Sequence, residues 1–496
     1  MLEHMSLDPR TPVLIGQGQA LDRSTNSTTA KHPVALMAEA LVAAASDAGI
    51  SLPSRVDAIR VVRLLSWKYT NAAHALARAC GISADEYATT PHGGNMPQTL
   101  VNLTALQIQR GECDFVVLAG GECARTRAAT KDPQQLSWPA PDEAPPPTHI
   151  VEDLALLNEE ELRLGIVLPV QIYPMFETAL RAAAKRSVSD HDHRIAQLWS
   201  RFSAVAATNA FAWSRSPLSA DEIYNVTADN RMIGLPYRKV MNSNNQVNLA
   251  ASLIMCSAER AEALGVPRDR WVFPLAGTDC HEHQFVSNRW SFAETPAVAR
   301  GGKLALELAG TTLGDIALID LYSCFPSAVQ LGAASLGLDL RQQLTLTGGL
   351  SFAGGPWNNY VMHAIATAMR RLRESPNDKA FIWANGGYAT KHAFGIYATE
   401  PAATGFRHAA PQAEIDALPR RDLATGEDAA GPATIEAYTV MHDREGAPER
   451  FIASVIRGDG QRAWVSCDDR SIATHFVSGE HVGDAVKLRR SGELDA

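Results

Sequence analysis

The segment Ala389-Thr390-Lys391-His392 sets an ammonium and an imidazole side by side just after the glycine pair Gly386-Gly387. Imidazole titrates near neutrality and suits a general base; Lys391 suits holding a phosphate or a carboxylate. The plainer reading of a Lys-His pair at such a turn is a solvated one. His281 and His283 flank Glu282 in Asp279-Cys280-His281-Glu282-His283. Alternate residues of a strand face one way, so both rings can meet one ion, but no third ligand stands at diagnostic spacing and no metal is expected. Cys324, beside Phe325, reads as a small hydrophobe before a nucleophile. His92, just before Gly93-Gly94-Asn95, is either a pocket residue or a surface-loop histidine. Gly348-Gly349 and Gly354-Gly355 lack the ending of a phosphate loop, and no dinucleotide fingerprint follows the first strand.

These groups need elements to hold them. Pro33 to Ala48 reads as a helix, with Val34, Leu36, Met37, Leu41 and Val42 on its apolar side and Gly49 as its end. A buried strand over Val56 to Val62 and a helix from Asn71 to Ala79, closed by Gly81, follow. Strand and helix recur with short loops, which predicts an α/β fold with a mainly parallel sheet. One unit occurs twice. Gly93-Gly94-Asn95 leads into a helix, Gln98 to Gln109, a strand, Phe115 to Leu118, and then Gly120-Gly121. Gly354-Gly355-Pro356 leads into a helix, Tyr360 to Leu372, a strand, Phe381 to Trp383, and then Gly386-Gly387. Two ordered copies predict a duplicated α/β fold.

An insert of about 122–245 separates the copies, with a proline cluster at 139–147 and helices at Pro174–Lys185 and Arg194–Trp213. Such an insert is where α/β enzymes place substrate-covering loops. Residues 401–432 read as a linker. The tail alternates strands with turns at Gly446 and Gly460, which predicts a small all-β unit, a five-stranded barrel or a sandwich, since periodicity does not separate the two. The expected division is 1–121 and 246–268 for the first half, 122–245 for the insert, 269–405 for the second half and 406–496 for the β-domain.

Composition narrows the function. A net charge of −9 gives no footprint for duplex binding. The tail offers Tyr438, Phe451, Trp464 and Phe476 for stacking single-stranded nucleic acid, but its charges are mixed, and nucleic acid is not the expected partner. No apolar run is long enough to span a membrane, and no secretory signal opens the chain. Leu2-Glu3-His4-Met5 reads as a cloning junction before a second start methionine. Seven cysteines without paired spacing fit a reducing cytoplasm.

Several strings resemble the thiolase superfamily. Arg10-Thr11-Pro12-Val13 is similar to its opening strand, and Gln109 to Gly121 to the segment after its nucleophile helix. Ala250 to Glu259 is similar to the string after its loop domain. Asp320 to Phe325 stands at the N-E-A-F or H-D-C-F motif, Gly354-Gly355-Pro356 at the G-H-P motif, and Ala384-Asn385-Gly386-Gly387 at the C-x-G-G motif. With the β-tail, the whole resembles the thiolase-like proteins of type 1, whose additional C-terminal domain is of oligonucleotide/oligosaccharide-binding type. The resemblance implies two stacked halves in five α-β-α-β-α layers, and an acetyl-CoA acetyltransferase-like name.

It also implies what has changed. The nucleophilic cysteine falls on Gly94 or Asn95, its activating histidine on Gly355, the second cysteine on Ala384 and the oxyanion residue on Tyr322. Cysteine-dependent thiolase or acyltransferase chemistry is therefore not expected. Amides at Gly94 or Asn95 and at Gly386 remain where the family polarises a thioester carbonyl, a role worth about a hundredfold or more per donor. The phenol of Tyr322 suits donating to an alkoxide or enolate, as in aldolases of the sterol-carrier type, and otherwise packs in the core. His392 then stands in for the missing base, with His92, Gly355 and Asn385 around the pocket. Arg125, Arg127, Lys131 and Arg181 are the cations available to CoA phosphates. The expected function is cysteine-independent carbon–carbon chemistry of retro-aldol type, or hydrolysis, on an acyl-CoA of lipid metabolism; the alternative is a non-catalytic acyl-CoA-binding or scaffold protein. No cofactor is expected, and the chain is a monomer or homodimer.

Overall fold

The computed structural model describes residues 7–24 and 29–495; the Leu2–Met5 string lies outside them. The first half contains β1 (Pro12–Leu21), β2 (Arg55–Val61), β3 (Ser83–Thr89), β4 (Phe115–Cys123) and the two-residue β5 (Thr148–His149). The insert adds β6 (Met232–Gly234) and β7 (Tyr237–Arg238), and β8 (Asn248–Ser257) returns to the first sheet, whose order is β1-β8-β4-β2-β3-β5. The second sheet has the order β10-β11-β12-β9-β13, from β9 (Phe273–His281), β10 (Leu318–Leu321), β11 (Ala380–Gly386), β12 (Lys391–Ala398) and β13 (Arg407–Ala409).

The duplication is written in the directions of the strands. In the first half β2 runs parallel to β4, while β4–β8 and β8–β1 are antiparallel. In the second, β10 runs parallel to β11, while β11–β12 and β12–β9 are antiparallel. Both sheets are thus mainly parallel, as expected, with one reversed strand each, β8 in the first and β12 in the second. In the place of β3 the second half has only an extended segment, where the Leu321 amide donates to the Leu344 carbonyl at 2.9 Å.

The helices Met96–Arg110 and Tyr360–Glu374 pack on strands of both sheets and form the central layer. Pro33–Ala48 and Ala72–Cys80 cover the outside of the first sheet, and Pro296–Leu308 and Pro326–Leu336 the outside of the second. Five layers result. A central helix has no solvent face, so its polar residues bond within the core: Gln98 Nε2 donates to Asn102 Oδ1 at 2.9 Å, and Tyr397 donates to Gln98 Oε1 at 2.7 Å.

The insert helices are shifted from their expected bounds. One is Pro169–Ala183, with Pro174 inside it; the other is Val188–Thr208, started by a Ser187 side chain that accepts from the Asp190 amide. A serine cap fixes the start more firmly than apolar spacing does. The expected linker at 401–432 is partly ordered structure, since β13 pairs with β9.

The tail contains β14 (Gly431–His442), β15 (Pro448–Arg457), β16 (Arg462–Cys467), β17 (Ala485–Arg490) and β18 (Glu493–Leu494), ordered β16-β15-β14-β17-β18. A bridge between Val465 and Gly492 joins its ends into a barrel. It is not all-β: the helix Arg470–His475, capped by Asp469, lies between β16 and β17. β6 of the insert also pairs with β14, so the barrel and the insert share a sheet.

Candidate functional site

The centre is built where the Met96–Arg110 helix begins beneath the end of β11. Gly93, Gly94 and Asn95 form the turn before that helix, and the amides of Gly94 and Asn95 have no hydrogen-bond partner among the described residues. Free donors at a helix N-terminus favour a negatively polarised oxygen. Gly386 closes the opposite side: an ideal Cβ there would lie 2.5 Å from Asn95 Oδ1 and 3.2 Å from Gly94 N, so any side chain would cover that amide.

Tyr322 stands over Gly94. A Cβ on Gly94 would overlap the phenolic oxygen and lie 2.5 Å from the Asn385 carbonyl. The Tyr322 hydroxyl has no hydrogen-bond partner among the described residues, and burial raises its pKa, so the phenol stays protonated. Its ring packs edge-on against Tyr360 at 5.6 Å, and Tyr360 donates to Asp320 Oδ1 at 3.1 Å. Asp320 also accepts from the Leu346 amide at 2.7 Å, and burial pushes its pKa up to about 7.

β11 continues through Gly386, so the turn begins one residue later than the glycine pair suggests, at Gly387 with φ 68°. The register then decides which neighbour faces the centre. His392 pairs with Asn385, and Lys391 pairs with Gly386. Opposite residues of an antiparallel pair share a face, so Lys391 lies on the Gly386 side, within 3.2 Å of where a Gly93 Cβ would stand. His392 lies on the other face, its Nδ1 accepting from Trp383 Nε1 at 3.2 Å. Burial and nearby Arg289 hold its pKa well below the usual histidine value. The structure therefore does not bring His392 to Tyr322, and a neutral ring behind the sheet is no substitute base for the centre.

The other candidates separate in the same way. Asn385 turns its side chain from Gly94 and donates to the Tyr173 hydroxyl at 2.9 Å. His92 offers its backbone carbonyl to Lys391 Nζ; its ring is half-buried, and desolvation, then Lys391 and Arg63, lower its pKa. Gly355 lies against Ser243 and Asn245, and a Cβ there would overlap Ser243 Oγ. Three residues on, Asn358 Oδ1 accepts from the Gly93 amide at 3.0 Å, so one loop links that place to the centre. Asn95 Oδ1 is buried without a partner. Asn358 and the side chain of Asn95 were not singled out in the sequence, where only their position beside glycine turns marks them.

The cysteines supply no ready nucleophile. Burial pushes Cys324 up to about 12 and Cys113 up to about 11, and raises Cys123, Cys256 and Cys280 well above the usual thiol range. His281 Nδ1 meets the Glu282 carbonyl at 2.6 Å and His283 Nε2 the Pro419 carbonyl at 3.2 Å, and no metal-holding group of three ligands occurs among the described residues. None of the described helices is long and apolar enough to cross a membrane.

A cleft of about 1250 Å³ opens between the insert and the core, lined by Arg125, Lys131, Lys239, Ser243, Asn244 and Phe352 among others. It gathers Arg125 and Lys131 of the four expected cations. Arg127 instead donates to the Thr130 carbonyl, and Arg181 is buried against Glu480 of the barrel at 2.5 Å. Tyr438, Phe451 and Trp464 are fully buried and Phe476 nearly so, which removes the stacking platform that a nucleic-acid role for the tail requires.

Comparison with known proteins agrees with this architecture. The model of the thiolase-like protein type 1 additional C-terminal domain matches residues 411–493. A monomeric SCP2-thiolase like protein type 1 from Mycobacterium smegmatis is 32% identical, over 98% of this chain and 98% of that one, with a TM-score of 0.83. Two further structures share the fold at 98% of their own length and 79% of this chain: the Ltp2-ChsH2(DUF35) aldolase, at 18% identity and TM-score 0.57, and the dimeric peroxisomal thiolase of Saccharomyces cerevisiae, at 14% and 0.56. No curated protein sequence matches the chain. With a duplicated core, an added barrel and this full-length similarity, the chain belongs to the SCP2-thiolase-like protein type 1 family.

Proposed function

We propose that this chain binds an acyl-CoA-type thioester in the basic cleft and acts on it without an acyl-cysteine, by carbon–carbon cleavage of retro-aldol type. The observation that carries the reading is the Tyr322 hydroxyl over Gly94: a protonated phenol fills the space that a side chain on Gly94 would take, beside two free amides. Charge that develops on a substrate oxygen meets donors already oriented and nearly dry, where each hydrogen bond counts for more than in water. The phosphates are assigned to Arg125 and Lys131, on the cleft that Gly355 adjoins through Ser243. A hydrolytic variant uses the same donors with water as the nucleophile.

Calorimetric titration of the full chain with acetyl-CoA tests the binding half. Saturable binding that weakens about tenfold or more in Arg125→Ala, the loss of a charge-assisted contact, supports it. Absence of binding at millimolar ligand removes CoA thioesters as the substrate class. A second reading, a non-catalytic binder, is favoured by closure of the centre, where Tyr322 is 7% and Asn95 5% exposed.

A further inference from the structure

We propose that Lys391 is a carbonyl-reactive amine whose Nζ forms a transient imine with an aldehyde or ketone held over Gly93. The register places its side chain on the Gly386 face, beside Gly93 and away from His392. It is 5% exposed, and no carboxylate of the described residues lies within ion-pair distance. Its hydrogen-bond partner is the His92 carbonyl, a neutral acceptor that satisfies one of three ammonium donors. An unpaired ammonium is costly to bury, so such a site favours the free amine. Desolvation lowers the Lys391 pKa, and Asp153, the opposing charge, lies too far to form an ion pair.

The neighbouring groups choose between two uses of this lysine. An anion, whether phosphate or carboxylate, would meet Asn95 Oδ1, a buried acceptor without a partner on the same side of Gly93. That acceptor repels an anion but suits the O–H of a carbinolamine. The Gly94 amide and the Tyr322 hydroxyl are donors suited to the carbonyl oxygen. In the step, the Nζ lone pair forms a bond to the carbonyl carbon and the C–O π pair moves to oxygen. The two amine protons then leave with that oxygen as water, giving C=N; water reverses the step. The substrate class, a carbonyl fragment, rests on the carbon–carbon cleavage proposed above, but the reactivity of the amine is measured without it.

The test is reductive trapping in the full-length protein, with propanal and sodium cyanoborohydride, followed by peptide mapping of N-propyl lysine. At about pH 6.5, Lys391 is expected to label several-fold more than the exposed Lys303 and Lys487, because its unpaired, buried site favours the free amine. Labelling of Lys391 equal to or below that of Lys303 overturns the proposal. Calorimetry with acetyl-CoA reads the cleft alone, so a failed trap and a failed CoA titration are separate results.

Discussion

The Tyr322 hydroxyl occupies the space into which a side chain on Gly94 would project, and the Asn385 carbonyl closes the same space 2.5 Å from an ideal Cβ. Any side chain at 94 would have to displace both the phenol and a backbone carbonyl. Replacement at this position is therefore coupled to packing as much as to chemistry.

Gly94→Cys tests that coupling. The new side chain meets backbone as well as the phenol, so it should destabilise by about 1–3 kcal/mol, the scale of overpacking. Thermal unfolding measures this, and intact mass after incubation with acetyl-CoA should show no hydroxylamine-sensitive acyl adduct. An unchanged melting temperature with a stable acyl adduct would show that the pocket opens and that acylation needs only a cysteine at this position.

Tyr322→Phe removes the donor and keeps the ring against Tyr360. If the phenol stabilises charge in the reaction, kcat should fall by the equivalent of about 2–4 kcal/mol, as for removal of one oxyanion-hole donor. Stability should change little, because the hydroxyl has no hydrogen-bond partner among the described residues. Equal turnover on a substrate found by screening acyl-CoAs would favour the non-catalytic reading.

Stability should decline as pH rises through the acidic range. The folded-state pKa of Asp320 is raised by burial to about 7, and that of Glu122 likewise to about 7. The native state holds these protons longer than the unfolded chain, so from about pH 4 to about pH 7 unfolding releases protons and the two groups lose stabilising effect. Above pH 7 their penalty is complete. Urea midpoints between pH 5 and pH 8 should fall, with a flatter slope in Asp320→Asn; an unaltered slope in that variant would assign the dependence to other groups.

Arg462 pins the barrel to the core. It is fully buried, pairs with Glu436 at 2.7 Å, and donates to the carbonyls of Ser287 at 2.6 Å and Arg289 at 2.5 Å. Arg289 in turn donates to the Tyr388 and Ala389 carbonyls in the turn after Gly386. Arg462→Met should cost about 3 kcal/mol, the scale of breaking a buried pair from one side. Cleavage within 405–432 should accordingly leave a core that unfolds at lower urea than the intact chain. A core of undiminished stability would make the barrel a dispensable module.

What the sequence determined by itself was the order of the elements in a duplicated framework. Glycine pairs before helices, apolar strands and the Pro33–Ala48 amphipathic pattern are local signals, and local propensity was enough to order the elements. Gly94 or Asn95, Gly355, Ala384 and Tyr322 stand at motif positions that the family resemblance assigns, and reading the residue type at such a position needs no coordinates. Tertiary structure decided which of two adjacent residues faces the centre. His392 and Lys391 differ by one step along β12, and a strand alternates faces at every step, so only its register against β11 puts the lysine over Gly93 and the histidine behind Trp383. The gathering of Arg125 and Lys131 on one cleft, and the loss of Arg181 to the barrel, likewise depend on long-range packing that spacing along the chain does not encode.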